Sequence, residues 1–177
     1  MTTLFTVGHG ARSLGDLIAV LRSSGVVLLV DVRRFPGSRR HPHFGRGSLE
    51  RTLPEAEIAY EWWGEELGGR RSTGANSRHG ALRNASFRAY ADFMDTDVFR
   101  SAIDHLEGKA RVSPTAVMCA ETLWWRCHRR HIADVTQIHG FTVTHLLDQE
   151  ESQPHRLHSA LRIDDDGYPV YDGGRNP

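Results

Sequence analysis

The sequence predicts an α/β fold of three layers, with a mainly parallel sheet of about five strands between helices. Three observations lead there. Short apolar runs alternate with amphipathic helical segments along most of the chain. The run Val26–Val32 is apolar without alternation, as a parallel strand buried on both faces must be. Glycine and proline concentrate in the segments between these runs, where they act as breakers.

Each element has a local reason. Leu4–Val7 reads as a short strand. Ser13 is a good N-cap for a helix carrying Leu14, Leu17, Ile18 and Leu21 on one face, and Gly25 ends it. Val26–Val32 is the second strand. Arg33–Gly47 is a long loop broken by Pro36, Gly37, Pro42 and Gly45. Ser48–Leu53 supplies a helical turn or two, and Ile58–Trp63 a third strand. Gly64–Ala85 is a loop rich in glycine and arginine. Helices follow at Ser86–Met94 and Asp97–Glu107, the second burying Val98, Ala102, Ile103 and Leu106. Thr115–Ala120 is the fourth strand, Arg126–His139 a helix closed by Gly140, and Phe141–Leu147 the fifth strand. The remainder, Asp148–Pro177, reads as an irregular tail with one edge strand near Tyr168–Tyr171.

At 177 residues the chain is expected to be a single domain, 1–177, with a real core. Its 39% hydrophobic and 25% charged content is ordinary for a soluble globular protein. No apolar run is long enough to span a bilayer, and the opening residues lack the pattern of a signal peptide. Cys119 and Cys127 do not make a disulfide framework, so a cytoplasmic location with reduced thiols is expected.

Net charge is zero, but the charges are segregated. No acid lies between Asp31 and Glu50, where Arg33, Arg34, Arg39, Arg40 and Arg46 accumulate beside His41 and His43. No acid lies between Glu66 and Asp92, where Arg70, Arg71, Arg78, Arg83 and Arg88 occur. Arg126, Arg129 and Arg130 form a third basic group. Such segregation predicts a basic face for a phosphate-bearing partner. Lys109 is the only lysine, so part of the arginine excess reflects codon bias. Codon bias does not explain why acids avoid the same segments.

In a parallel sheet the segments after each strand emerge on one edge. Here those are Gly8-His9-Gly10, Asp31–Gly47, Gly64–Ala85 and Glu121–Cys127, which together hold the unusual residues of the chain. The densest is Met118–His131, MCAETLWWRCHRRH, with two thiols, a carboxylate, three arginines, two histidines and adjacent tryptophans. The plainer reading is a solvated strand-to-helix loop with two core tryptophans. The convergence of four such loops on one rim favours a site.

TVGHGARSLGDLIAVL, VDVRRFPGSRRHPHF, the YxxxxxxLGG pattern at Tyr60–Gly69, FRAYADFM and MCAE…CHRRHIAD occur in this order. Together they resemble the DUF488 family, a bacterial α/β family named for having had no known function. The resemblance covers Thr3–Leu147, and the WWRCHRR and PHF segments resemble an actinobacterial subgroup. Where the family has a proline-containing turn before CHR, this chain has Leu123-Trp124-Trp125, which implies a substrate surface of its own. The resemblance implies cleavage of bases, particularly 5-hydroxymethylated pyrimidines, from DNA.

Each site residue has two readings. Asp31 either pairs with Arg33 or Arg129, or acts as a catalytic carboxylate. Glu121 has the same duality but lies in the denser cluster; with Asp31 and His128 it makes the expected catalytic set, following the logic of sugar hydrolases. Cys127, near a helix N-terminus beside Arg126 and His128, is an alternative nucleophile. A metal set of Cys119, Cys127, His128 and His131 is weighed too; its spacing is not the paired CxxC of structural zinc, and no metal or cofactor is expected. His9 contacts a phosphate or base, or caps a turn. Arg33, Arg39, Arg40, His43, Arg126 and Arg129 are expected to hold the DNA backbone. Phe44 and Trp125 are expected to hold an extruded base, with one of each Trp pair in the core. Asn84 reads a base edge or merely precedes a helix cap at Ser86. The expected activity is therefore a DNA N-glycosidase. The alternatives are a nucleic-acid or nucleotide-binding protein without chemistry, or a thiol- or metal-dependent enzyme acting on a small molecule.

Overall fold

The computed structural model describes residues 2–37 and 39–174. The chain runs β1 (Thr3–Gly8), α1 (Leu14–Ser23), β2 (Leu28–Asp31), α2 (Arg46–Glu55), β3 (Ala59–Trp62), α3 (Ala85–Met94), α4 (Asp97–Val112), β4 (Thr115–Cys119), α5 (Arg129–Ile138) and β5 (Thr142–Leu146). Three short strands follow, β6 (Ser152–Pro154), β7 (Leu161–Ile163) and β8 (Pro169–Tyr171). The main sheet has the order β3-β2-β4-β1-β5-β6. Its first five strands are parallel and β6 is antiparallel to β5.

Alternation along the strands fills two cores. Leu4, Leu28, Val30, Val117 and Val143 pack on one side with residues of α3, α4 and α5. Val7, Leu29, Ala116 and Met118 pack on the other with Leu17, Leu21, Leu49 and Leu53 of α1 and α2. This is the expected three-layer α/β architecture. Among the described residues no helix is long and apolar enough to cross a membrane.

Helix ends follow their sequence signals. Ser13 and Asp16 form a reciprocal capping box at the start of α1. At its end Gly25 takes φ +67°, its N–H reaching Arg22 O at 2.9 Å while Val26 N–H reaches Leu21 O at 3.0 Å. A side chain disfavours that left-handed turn, hence glycine.

Several expectations need correction. The five expected strands form the parallel part of the sheet, and β6 adds an antiparallel sixth at its edge. The expected edge strand near Tyr168–Tyr171 instead pairs with β7 in a separate two-stranded sheet. The segment from Asp148 is not irregular: His155 and Tyr171 are buried in it. They enter a chain of hydrogen bonds from Thr6 through His145, His155, Asp134 and Tyr171 to His131. Polar groups this deep must bond each other, and that requirement orders the segment. Its last three residues, Arg175–Pro177, lie outside the described residues. The helix expected from Arg126 begins at Arg129, after a 3₁₀ turn at Trp124–Arg126, because Cys127 is extended at φ −122°, ψ 148°. Asn84, rather than Ser86, caps α3.

β1, β2 and β4 end side by side, with Gly8 opposite Cys119 and Asp31 opposite Met118. The connection leaving β2 runs outward to β3, while that leaving β4 crosses β1 to reach β5. The two diverge, so a crevice opens between the carboxyl ends of β2 and β4.

Burial of neutral histidines sets the pH behaviour of this fold. Burial lowers His9 to about 4, His131 to about 3 and His145 to about 2. In the unfolded chain each titrates near 6.5. A depressed folded value means the stabilisation is complete above pH 6.5 and is lost as pH falls toward the folded values. Unfolding at pH 5 should therefore take up about three protons at these side chains. Urea unfolding at pH 8, 6.5 and 5 should give a midpoint that drops steeply across the last interval. A midpoint independent of pH over that range would contradict the assignment of these three imidazoles as neutral.

Candidate functional site

The crevice is a cleft with two adjoining lobes of about 220 and 480 Å³. Arg33, Phe35, Arg70, Ala120 and Glu121 border both. All four loops expected at the rim contribute: His9 and Gly10 after β1, Arg33–Phe35 after β2, Gly69 and Arg70 after β3, and Ala120–Thr122 after β4.

Asp31 anchors it from beneath. It is fully buried at the end of β2. Arg33 donates to it through Nε at 2.9 Å and Nη2 at 2.6 Å, and through its backbone N–H at 3.0 Å. Tyr60 on β3 adds its hydroxyl at 2.7 Å. With both oxygens occupied and no exposure, Asp31 does not meet the cleft. The expected pair of carboxylates is therefore not formed there. Of the two pairings foreseen for Asp31, Arg33 is the one present.

Arg33 is itself buried, so it is not a free phosphate contact. Burial opposes its charge, but its bonds to Asp31 and the charge of that carboxylate prevail and raise its pKa. Its Nη2 also reaches Phe44 O at 2.8 Å, and Nη1 lies 3.1 Å from His9 Nε2. His9 Nδ1 lies 2.9 Å from Gly10 O. Nδ1–H thus donates to that carbonyl, and Nε2 accepts from Arg33. Burial, aided by the Arg33 charge, holds His9 at about 4, so the ring is neutral at physiological pH. Phe44, expected at a base, is packed in the core and stacks on His9 with centroids 4.3 Å apart. His43 packs at a tilt against Phe44, centroids 4.3 Å apart, and faces Arg12 O at 3.3 Å.

Glu121 stands differently. Its side chain is exposed on the cleft. Its backbone is pinned, because Arg129 Nη1 donates to Glu121 O at 2.6 Å and Nη2 to Thr122 O at 2.9 Å. Arg129 is 1% exposed, so it supports this loop and is not available to DNA. A Cβ at Gly8 would lie 1.9 Å from Glu121 O, which explains glycine at the end of β1.

The floor of the smaller lobe carries Cys119 and His128, with Cys127 behind them. His128 Nδ1 lies 3.9 Å from Cys119 Sγ and 3.7 Å from Cys127 Sγ, and Nε2 lies 3.2 Å from Val32 O. A hydrogen bond from Cys127, with help from His128, holds the Cys119 thiol well below its usual range. Burial and that same bond push Cys127 up. Of the four residues weighed as metal ligands, these three converge. His131 does not; its Nδ1 is bonded to the Tyr171 hydroxyl at 2.9 Å.

The other expected contacts are dispersed. Asn84 Oδ1 accepts from Ser86 and Phe87 N–H groups, so it is a helix cap. Arg39, Arg40, Trp125 and Arg126 are exposed, but none borders the cleft. None of the four tryptophans is fully buried. The basic face is diluted as well: Arg78 pairs with Asp95 and Asp164, and Arg46 with Glu50. Phe35, one of the aromatics in the basic loops, and Arg34 and Arg70 of the acid-free segments were given no role at the site, yet they meet on the cleft. Phe35 is 65% exposed, with Arg34 and Arg70 guanidinium carbons 5.9 and 5.7 Å from its ring centre. Arg70 has φ +58°, a conformation costly for a side-chain-bearing residue. The aromatic ring in an arginine loop and the absence of acids from both segments were the signals for this group.

The family model described as "Domain of unknown function DUF488" matches residues 13–136, well over half of the chain. No curated protein and no solved structure matches it significantly.

Two isosteric substitutions separate anchor from working group. Asp31→Asn leaves a buried guanidinium without its counter-charge and should cost about 3–5 kcal/mol. Glu121→Gln, at an exposed side chain, should stay within about 0.5 kcal/mol of wild type. Chemical unfolding of both variants measures this. Equal stability of the two would contradict the anchoring role of Asp31.

Proposed function

The chain belongs to the DUF488 family, and we propose that this member is a DNA N-glycosidase releasing a modified pyrimidine, such as a 5-hydroxymethylated base. The observation that carries the reading is one exposed carboxylate, Glu121, on a cleft whose opposite part bears an exposed phenyl ring between two arginines. An extruded base needs an aromatic face to replace its lost stacking, and Phe35 offers one. Arg34 and Arg70 hold the flanking phosphates.

Cleavage breaks the bond between C1′ and the base nitrogen, and the electron pair leaves with the base. Positive charge then builds on the sugar, so a fixed carboxylate stabilises the transition state more than the ground state. Glu121 takes the proton of the water that adds to C1′, a contribution of roughly 10²–10⁴-fold for a general base. The departing base takes its proton from solvent. Asp31 acts through Arg33 as a positioning residue, holding His9 and the long loop in place.

Base release from a panel of modified duplexes tests this. Glu121→Gln should lose most turnover while binding DNA as well as wild type. Phe35→Ala should weaken binding by about 1–3 kcal/mol. Arg34→Ala and Arg70→Ala should each flatten the salt dependence of binding by about one unit of slope. Salt-dependent binding with no base released from any duplex would leave a nucleic-acid-binding protein without chemistry. Absence of binding at every salt concentration would remove DNA as the partner.

A further inference from the structure

The side chains of Cys119, Cys127 and His128 contribute Sγ, Sγ and a ring nitrogen, all within 4.8 Å of one another. The geometry points to a zinc site here, with two thiolates and His128 Nδ1 as ligands and the fourth position open to the cleft. It stands apart from the glycosidase reading, since it rests on the donor atoms alone.

Four observations carry it. The first is spacing. Tetrahedral zinc, with bonds of about 2.3 Å to sulfur and about 2.05 Å to nitrogen, sets N and S about 3.6 Å apart. The nitrogen-to-sulfur separations present are 3.7 and 3.9 Å, within a few tenths of an ångström of that value, and the two sulfurs, within 4.8 Å of each other, must close to about 3.8 Å. The second is the tautomer. Val32 O lies 3.2 Å from His128 Nε2, so the ring proton sits on Nε2 and the Nδ1 lone pair points at the sulfurs. A ligating histidine usually donates its other N–H to a carbonyl or carboxylate in this way.

The third is charge. The Arg129 backbone N–H lies 3.5 Å from Cys127 Sγ and supports negative charge there. The fourth is access. Cys119 and His128 border the cleft while Cys127 lies behind them, so an ion held by all three has one side free. Two thiolates balance a dication, and of the guanidiniums nearby Arg33 is committed to Asp31 and Arg129 to two carbonyls, while Arg34 and Arg70 lie over Phe35.

Three protein ligands with an open position is the pattern of catalytic rather than structural zinc. Zinc enzymes acting on nucleobases use two cysteines and a histidine with a non-ligating glutamate as proton shuttle. Glu121 borders the same cleft.

The test uses the whole chain, reduced with a non-chelating phosphine, loaded with zinc or cobalt(II) and desalted. Wild type should retain one zinc per chain by elemental analysis. Its cobalt form should show thiolate-to-metal charge transfer and the strong visible bands of tetrahedral coordination. Cys119→Ser and His128→Ala, checked for folding by circular dichroism, should retain at least tenfold less zinc. Glu121→Gln should retain it fully. Should a ligand variant fail to fold, the wild-type cobalt spectrum still decides. No retained zinc in the wild type, a cobalt spectrum lacking the thiolate band, or equal retention in folded ligand variants would overturn the site. A chain that binds zinc and releases no base from DNA would sink the glycosidase reading and leave this one standing.

Discussion

A single buried ion pair, Asp31 with Arg33, organises this molecule's cleft. Neither partner is left to water, so the desolvation of two charges has to be offset by bonds to every available lone pair and N–H. The structure meets that demand with Tyr60 from β3, His9 from the turn after β1, the Phe44 carbonyl and the Arg33 backbone. Each bond that satisfies a charge also fixes a segment. The long connection after β2, which has no strand and only a short 3₁₀ turn of its own, is held to the sheet this way. Phe44 then packs beneath it and completes the anchor through apolar burial.

This explains which parts of the fold and site were legible from the chain. Periodicity, caps and breakers are local signals, and α1, β2, α3 and β4 lie within a few residues of where those signals put them. The rim itself followed from parallel topology, because chain direction dictates where loops emerge. Pairings across space carry no such signal. Arg78 lies in a segment without acids, yet it folds against Asp95 and Asp164 from distant segments. Segregation of charge along the chain therefore did not become segregation on the surface. Asp31 and Glu121 looked alike, each closing or following an apolar strand. Only the burial of one and the exposure of the other separates their roles.

The segment after β5 makes the same point from another direction. Its polarity and its glycines resemble those of a loose end. His155 and Tyr171 nevertheless reach Asp134 on α5, and β6 covers the outer edge of β5. An unpaired parallel edge and a buried carboxylate both need partners, and this segment supplies them. It lies beyond the residues matched by the family model.

Glu121 links the two chemistries proposed for the cleft. Its backbone is held by Arg129 and by the close approach of Gly8, while its carboxylate remains free. A catalytic group benefits from that combination, since a fixed main chain limits how far the reactive atoms can wander. Arg129 opens α5 directly after His128 and Cys127, so the residue that fixes the Glu121 loop is covalently joined to the thiol–imidazole floor. Wall and floor are joined through one turn, which holds the Glu121 carboxylate and the thiol–imidazole set on the same lobe of the cleft.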